Sequence, residues 1–390
     1  MALLILNAGS SSLKFSLYAN AEGEPRRLCG GAFSDLDGQP RFTASAADRA
    51  AAEDRPGIRG HAQALRYLFA WLAREYPESP VEAAGHRIVH GGPDFAEPTR
   101  LDAEVLARLR TFIPLAPLHM PHNLALVDAL RARWPDMPQV ACFDTAFHRG
   151  MPEVEQRYAL PDAYFERGVR RYGFHGLSYE YIASVLPDYL GEHADGRVVV
   201  AHLGHGASLC ALRQRRSVAT SMGFTPLDGV PMATRPGALD PGVVVWLMRE
   251  AGLSVSEVDE LLNQRSGLLG LSGLSGDIRE LLADDGPGSA LAIDYFVHHT
   301  QRQIASMAAA LGGLDALVFT AGIGEHSATL RQRICDAASW LGIVLDTAAN
   351  QAGETRISAP RARVSAWRIP TDEEQMIATH TSRLLRTSTG

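Results

Sequence analysis

Asn7-Ala8-Gly9-Ser10-Ser11-Ser12-Leu13-Lys14 lies between two short apolar runs, Leu3-Leu4-Ile5-Leu6 and Phe15-Ser16-Leu17-Tyr18. Apolar runs of strand length around a small, polar, glycine-containing segment predict a strand, a tight turn and a returning strand. Hydroxyls and free backbone N–H groups at such a tip suit an oxyanion such as phosphate. Lys14 is the only lysine of the chain; every other basic side chain is arginine or histidine. That choice fits a position needing a compact point charge. The alternative is a surface hairpin whose lysine reflects composition alone.

The 390 residues are enough for two domains with their own cores, and 46% hydrophobic with 21% charged residues is ordinary for a globular protein. The formal charge of −7 and the absence of a basic block argue against a nucleic-acid partner. Cys29, Cys142, Cys210 and Cys335 are scattered, which indicates neither a zinc ribbon nor a disulfide framework. No apolar run is long enough to span a membrane and no leader-like segment opens the chain, so a cytoplasmic protein is expected.

Working outward from the hairpin, Arg26–Phe33 and Arg41–Ala46 extend a β-meander. Ala62, Leu65, Leu68, Phe69 and Leu72 recur at helical spacing, predicting a helix near 59–76. A strand and turn follow at 84–92, then helices near 102–112 and 123–134. A buried strand, 139–143, ends at Asp144. The second half repeats this grammar: a strand at 197–201, the glycine-rich turn His202-Leu203-Gly204-His205-Gly206-Ala207-Ser208, and a returning strand at 209–212. Gly9 and Gly204 thus sit in two similar hairpins almost half a chain apart, the pattern of a duplicated fold. Helices are predicted near 240–250, 256–263 (with Ser254 and Glu257 as a capping box) and 290–311. The strand 317–320 runs into Ala321-Gly322-Ile323-Gly324-Glu325, read as a glycine-rich turn before a helix from about Ser327, a common seat for a nucleotide or an ordinary βα turn. A last strand, 364–369, meets Pro370, and a helix from Thr371 to about Arg386 closes the chain.

Several polar residues suit anion chemistry. Arg87 ends a strand beside Gly91-Gly92, and Arg235 sits in Met232-Ala233-Thr234-Arg235-Pro236-Gly237; the planar guanidinium suits carboxylate and phosphoryl oxygens, or a surface ion pair. His175, among glycines and aromatics, can approach a ligand or be a hydrogen-bonded core residue. Asp144 at a strand end faces the position where ligands bind in parallel sheets. Glu373 can complement a helix dipole or reach a magnesium ion. His86, His90, His119 and His122 match no zinc spacing.

Together the stretches NAGSSSLKFSL, GHRIVHGG, PLAPLH, FDTAFH, RRYGFHGLSYEYI, HLGHGASL, TSMGFTPLDGVPMATRPG, FTAGIGEH and IPTDEE run in order along nearly the whole chain, which resembles the acetate kinase family (acetate and propionate kinases). The resemblance implies an α/β, two-domain duplicated actin-like/ribonuclease H-like ATPase fold with an interdomain active-site cleft. Residues 1–145 with 376–390 would form one domain. Residues 146–375 would form the other, with most of the nucleotide site. It implies reversible transfer of the ATP γ-phosphoryl group to acetate, giving acetyl phosphate and ADP, with Mg²⁺ (or Mn²⁺), in a homodimer. By family position, Asn7 and Glu373 hold the metal environment. Ser10, Ser12 and Lys14 belong to the nucleotide site, with His202, Leu203, Gly204, His205, Gly206, Asp277, Ile278, Arg279, Gly322, Ile323, Gly324, Glu325 and His326 around ATP. Arg87 and Arg235 bind the carboxylate and the phosphoryl group in flight, and His175 stabilises the transition state. The family's usual role for the Asp144 position is proton donor/acceptor; because an aliphatic carboxylic acid is already ionised at neutral pH, Asp144 is expected here to orient an arginine or a magnesium-bound water instead. Val89, Leu118, Phe174 and Pro226 match the pocket for the methyl group, and His119 matches an active-site position.

The chain departs from the family pattern at His205 and His326, where asparagine is usual, and at Met120, Pro236, Ala238 and Gly276. Propionate as acceptor or pyrophosphate as donor are the rival readings within enzymes. A nucleotide-binding sensor that keeps the fold is the rival outside them.

Overall fold

The computed structural model describes residues 2–9, 11–20, 23–46 and 49–387; Ser10 lies outside them. The chain forms two compact units, residues 1–146 with 372–390, and residues 147–371. The second boundary falls at Thr371/Asp372, four residues before the expected one, because the C-terminal helix, Glu373–Thr387, packs on the first unit's strands from its first turn onward.

The first unit holds an eight-stranded mixed sheet. Its strands are β1 (Ala2–Ala8), β2 (Leu13–Ala19), β3 (Arg26–Ser34), β4 (Arg41–Ala46), β5 (Arg49–Asp54), β6 (Val81–Ile88), β7 (Thr99–Arg100) and β8 (Gln139–Phe143), in the order β5-β4-β3-β2-β1-β6-β8-β7. The first five form an antiparallel meander, whereas β1, β6 and β8 are parallel. Alternation sorts the side chains. Leu4, Leu6, Leu13, Phe15 and Leu17 enter one core with Leu65, Leu68 and Leu72 of the helix Gly60–Glu75. Phe15 stacks on Phe42 at 5.8 Å there. The opposite face lies under the C-terminal helix. A Cβ on Gly85 would stand 2.4 Å from Thr381 Oγ1 and 2.7 Å from Ile377 Cγ2, so only glycine lets strand and helix come this close.

The second unit holds a five-stranded sheet: β9 (Val198–Leu203), β10 (Ala207–Arg213), β11 (Arg216–Thr220), β12 (Ala316–Thr320) and β13 (Ser365–Arg368), ordered β11-β10-β9-β12-β13. Again three antiparallel strands are followed by parallel neighbours. The order β3-β2-β1-β6-β8 of the first sheet is thereby repeated, so the duplication suggested by Gly9 and Gly204 extends to the whole sheet. Tyr179, Ile182 and Leu186 of the helix Gly176–Leu190 cover one face, and the helix Pro287–Leu311 packs on β9, β10 and β11.

Most expected elements form within a few residues of their predicted bounds, and Ser254 and Glu257 make the capping box. One expectation is corrected: 321–325 is not a turn but a helix, Ala321–His326. Glu325 makes this possible, because its Oε1 accepts from the Ala321 backbone N–H at 2.8 Å and thereby caps the helix that carries it.

Candidate active site

In the first unit the polar residues gather where the parallel strands end. Ile5 pairs with Gly85 in register, so Asn7 and Arg87, each two residues further on, share the face covered by the C-terminal helix. Lys14 is the cross-strand partner of Asn7 and is exposed. Arg87 donates from Nε to Asp144 Oδ1 at 3.0 Å and from Nη2 to Oδ2, a fork-on-carboxylate pair, and from Nη1 to Asn7 Oδ1 at 3.3 Å. Glu373, first residue of the C-terminal helix, approaches Arg87 Nε at 3.9 Å. Burial works against the Arg87 charge, but the Asp144 and Glu373 carboxylates outweigh it and raise its pKa. Asp144 is 1% exposed, and burial lifts its carboxyl to about 6; Arg87 opposes the rise and Glu373 adds to it. Asp144 therefore remains ionised at neutral pH and fixes the Arg87 fork.

The hairpin turn is tied at its base by Gly9 N–H donating to Ser12 C=O at 2.9 Å. The sequence reading missed the residue that braces it from outside. His61 Nε2 lies 3.0 Å from the Gly9 carbonyl oxygen and 3.2 Å from that of Ser12. Both partners are acceptors, so this nitrogen carries the proton. The only sequence signal was a histidine at the start of a helix, which is no signal by itself. Val89 is buried, and its N–H donates to Asn123 Oδ1 at 3.0 Å; Leu118 is 39% exposed, and His119 is the exposed residue before the helix Met120–Arg133.

In the second unit His175 caps the helix Gly176–Leu190 in the left-handed conformation, φ +58°. Its Nδ1 is 2.8 Å from Ser208 Oγ, which also bonds Tyr179 Oη at 2.5 Å, and its ring stacks on His202 at 4.0 Å. His202 Nδ1 in turn meets Ser178 Oγ at 2.8 Å. The turn Gly204–Gly206 closes through Gly204 N–H donating to Gly206 C=O at 3.1 Å. A Cβ on Gly206 would fall 2.8 Å from Arg235 Nη2 and 3.3 Å from His175 Nε2. These two cationic or donor groups therefore flank the turn. Arg235 donates to the Pro226 carbonyl at 2.8 Å, and among the described residues no carboxylate pairs with it. Burial pushes its pKa down to about 10. A half-buried guanidinium with a carbonyl rather than a carboxylate partner leaves donors for an anion.

The remaining predicted residues divide by exposure. Asp277 caps the helix Ile278–Ala283, and hydrogen bonds from the Arg279 side chain and backbone hold its pKa down to about 2. Ile278 and Leu203 are buried in the core, so only their backbones can meet a ligand. Gly322 has open space where a Cβ would stand, Gly324 is buried, and Ile323 is half-buried. Glu325 Oε1 is occupied by the Ala321 and Thr371 backbone N–H groups. His205 and His326 are exposed, and desolvation by neighbouring atoms together with Arg235 lowers the His205 pKa against the pull of Asp277. Phe174 is buried and Pro226 half-buried. Among the described residues no three histidine, cysteine or acidic side chains form a metal-binding group.

Two repeated mixed sheets, each ending in a glycine hairpin beside arginine and histidine, define a duplicated α/β protein with anion-directed strand ends. The Acetokinase family profile matches residues 2–379, and the chain belongs to that family. It is 53% identical to an acetate kinase of Rhodopseudomonas palustris over 98% of both chains. Among solved structures, it is similar to acetate kinase from Porphyromonas gingivalis (37% identity, TM-score 0.88, 98% and 99% coverage). It is also similar to a propionate kinase from Francisella tularensis (35% identity, TM-score 0.91, 97% and 98% coverage). The duplicated α/β fold expected from the sequence is thus the fold of this family.

Proposed function

We propose that the protein is an acetate kinase, reversibly transferring the γ-phosphoryl group of ATP to acetate to give acetyl phosphate and ADP. The observation that carries the reading is Arg235, a half-buried guanidinium whose protein partner is a carbonyl and which therefore calls for an anionic ligand.

The chemistry asks little covalent help. An acetate oxygen, already ionised at neutral pH, attacks the γ-phosphorus; the bond to the bridging oxygen of ADP breaks, and no proton has to move. Such transfers depend on positioning and on neutralising the equatorial oxygens. Arg87 and Arg235 bind the carboxylate and the moving phosphoryl group, and His175 donates to it in the transition state. Asp144 holds Arg87 rather than acting as a base. Val89, Leu118, Phe174 and Pro226 take the methyl group; His119 lies beside Leu118 in the chain. ATP is held by Ser10, Ser12, Lys14 and the segments 202–206, 277–279 and 322–326.

Asn7 and Glu373 offer two hard oxygen donors next to Arg87, which suits Mg²⁺ completed by phosphate and water rather than an all-protein cage. Bound there, Mg²⁺ or Mn²⁺ would neutralise phosphate charge. No described helix is long and apolar enough to cross a membrane, and a cytoplasmic enzyme without nucleic-acid partners fits the net charge of −7. A homodimer is supported by the helix Pro241–Arg249: none of its residues is buried, and Val243, Val245, Trp246 and Met248 are all at least 40% exposed.

The test is acyl phosphate trapped as hydroxamate, with acetate, propionate or butyrate and with ATP or pyrophosphate, plus and minus Mg²⁺. Product only with ATP, Mg²⁺ and preferentially acetate is expected. Preference for propionate or for pyrophosphate reassigns the substrate, and no product despite tight ATP binding makes the protein a sensor.

A further inference from the structure

His148 is a buried histidine, 1% exposed, with a defined job for each ring nitrogen. Its Nε2 lies 3.0 Å from the Phe174 carbonyl oxygen, an acceptor, so Nε2 carries the proton. Its Nδ1 lies 2.8 Å from Ser217 Oγ. No carboxylate hydrogen-bonds this ring among the described residues, and burial pushes its pKa down to about 4, so the imidazole is neutral and Nδ1 accepts from the serine. Ser217 Oγ in turn lies 3.3 Å from Cys210 Sγ, which donates to it. The donors run in one direction: Cys210 to Ser217, Ser217 to His148, His148 to Phe174.

The peptide at the end of that chain joins Phe174 to His175. His175 is one of five non-glycine residues described at positive φ, and a left-handed histidine costs about 1 kcal/mol or more unless its surroundings hold it. The ring that holds it is itself pinned. A Cβ on Gly173 (φ +73°) would stand 2.6 Å from His148 Cδ2, so the backbone lies directly on the imidazole. On another side the ring meets Tyr179 edge-on at 5.5 Å, the tyrosine whose hydroxyl shares Ser208 with His175.

We propose that His148 is a positioning residue for His175: its Nε2–H, aimed by Ser217, anchors the Phe174 carbonyl and so fixes the left-handed His175 whose side chain acts on the phosphoryl group. This rests on the function proposed above. The Phe174 carbonyl sets the tautomer, and Ser217 holds the ring's orientation from the Nδ1 side, as outer partners of functional histidines do. No charge is needed at His148, only a directed N–H.

The test compares wild type with His148→Leu, His148→Gln, Ser217→Ala and His175→Ala in acyl phosphate formation, alongside thermal midpoints. Outer-partner losses of this kind run about 10–100-fold, and displacement of a reacting group by 1 Å costs about 100-fold. His148→Leu is therefore expected to lower kcat by about 30-fold, with both KM values within about 3-fold of wild type. His148→Gln, which can present an amide N–H near the Nε2 position, should recover most of the loss. Ser217→Ala leaves the imidazole in place but removes the partner that orients it at Nδ1, and should lower kcat about 5-fold. Should His148→Leu fail to fold, Ser217→Ala decides. Wild-type kcat in His148→Leu or Ser217→Ala, while His175→Ala is inactive, overturns the positioning role alone. Equal losses in the Leu and Gln variants that track their thermal midpoints do the same. Full turnover in His175→Ala overturns the role assigned to His175 and this inference with it.

Discussion

Arg87 grips Asp144 through two guanidinium nitrogens, with Nε 3.0 Å from Oδ1 and Nη2 bonded to Oδ2. One carboxylate of the first unit is thereby engaged on both oxygens by an arginine. With its pKa raised to about 6, Asp144 loses its charge within an accessible pH range. Turnover should fall as pH drops through about 6, because protonation releases the fork. Asp144→Asn should lower kcat about 100-fold and flatten that acid limb. Near-wild-type turnover at every pH in this variant would rule out the orienting role.

Acid stability follows a different sum. His86 and His148 are buried and neutral, with pKa values pushed down by burial to about 4. Unfolded histidines take up protons near pH 6.5, so their contribution is full above that pH and is lost as pH falls towards 4. Asp144 acts oppositely, since its raised pKa favours the folded state below about 6. His205 and His299, also lowered, add to the loss, and Glu374, raised by burial, opposes it; the lowered histidines outnumber the raised carboxyls, which predicts net loss of stability between pH 6.5 and 4. Asp144→Asn should steepen it, as urea midpoints at stepped pH will read; a shallower slope contradicts the assignment.

Arg235 should cost stability in exchange for anion binding. Replacing a half-buried cation that lacks a carboxylate partner by an apolar side chain of similar volume is expected to be neutral or stabilising. Arg235→Met is expected to raise the thermal midpoint of the ligand-free protein by about 2 °C while abolishing acyl phosphate formation. A fall in the midpoint would mean that the guanidinium is satisfied by the protein itself.

His61 braces the first hairpin through the Gly9 and Ser12 carbonyls. His61→Ala removes one shared donor from a half-buried site and should cost about 1 kcal/mol of stability at most. The loosened turn should raise the ATP KM several-fold, with little change for acetate. An unchanged ATP KM would show that the turn holds its shape without the brace.

Gly85 sets the depth of the C-terminal helix. Gly85→Ala places a methyl group against Thr381 and Ile377, and overpacking of this kind costs about 1–3 kcal/mol. Since that helix begins with Glu373, turnover should fall together with stability, which denaturant titration and kinetics on one preparation can check. Loss of stability with undiminished kcat would uncouple the helix depth from Glu373.

Strands and long helices were legible because their apolar spacing is dictated by burial, as in Leu3–Leu6, Val198–Leu203 and the stripe of the helix Gly60–Glu75. The helix Ala321–His326 was not. Its two glycines read as a turn, and the cap that makes it a helix comes from Glu325 folding back. Strand β11 escaped notice because Arg216-Ser217-Val218-Ala219-Thr220 is short and mostly small or polar, and it exists by pairing with β10. Within the site, Arg87, Asp144, Arg235 and His175 stood out by type and neighbourhood. His61 and His148 did not, since their roles depend on carbonyls remote in sequence, 52 and 26 residues away for Gly9 and Phe174.

The lone lysine has a consequence for the chemistry of the molecule's surface. Lys14 is exposed on β2 and is the only ε-amine in 390 residues. Amine-directed reagents, and acylating metabolites such as acyl phosphates, therefore meet one side-chain target, the cross-strand neighbour of Asn7. A reporter attached through an amide would read the first hairpin without cysteine engineering. Arginine elsewhere keeps the positive charge of the surface while withholding that nucleophile.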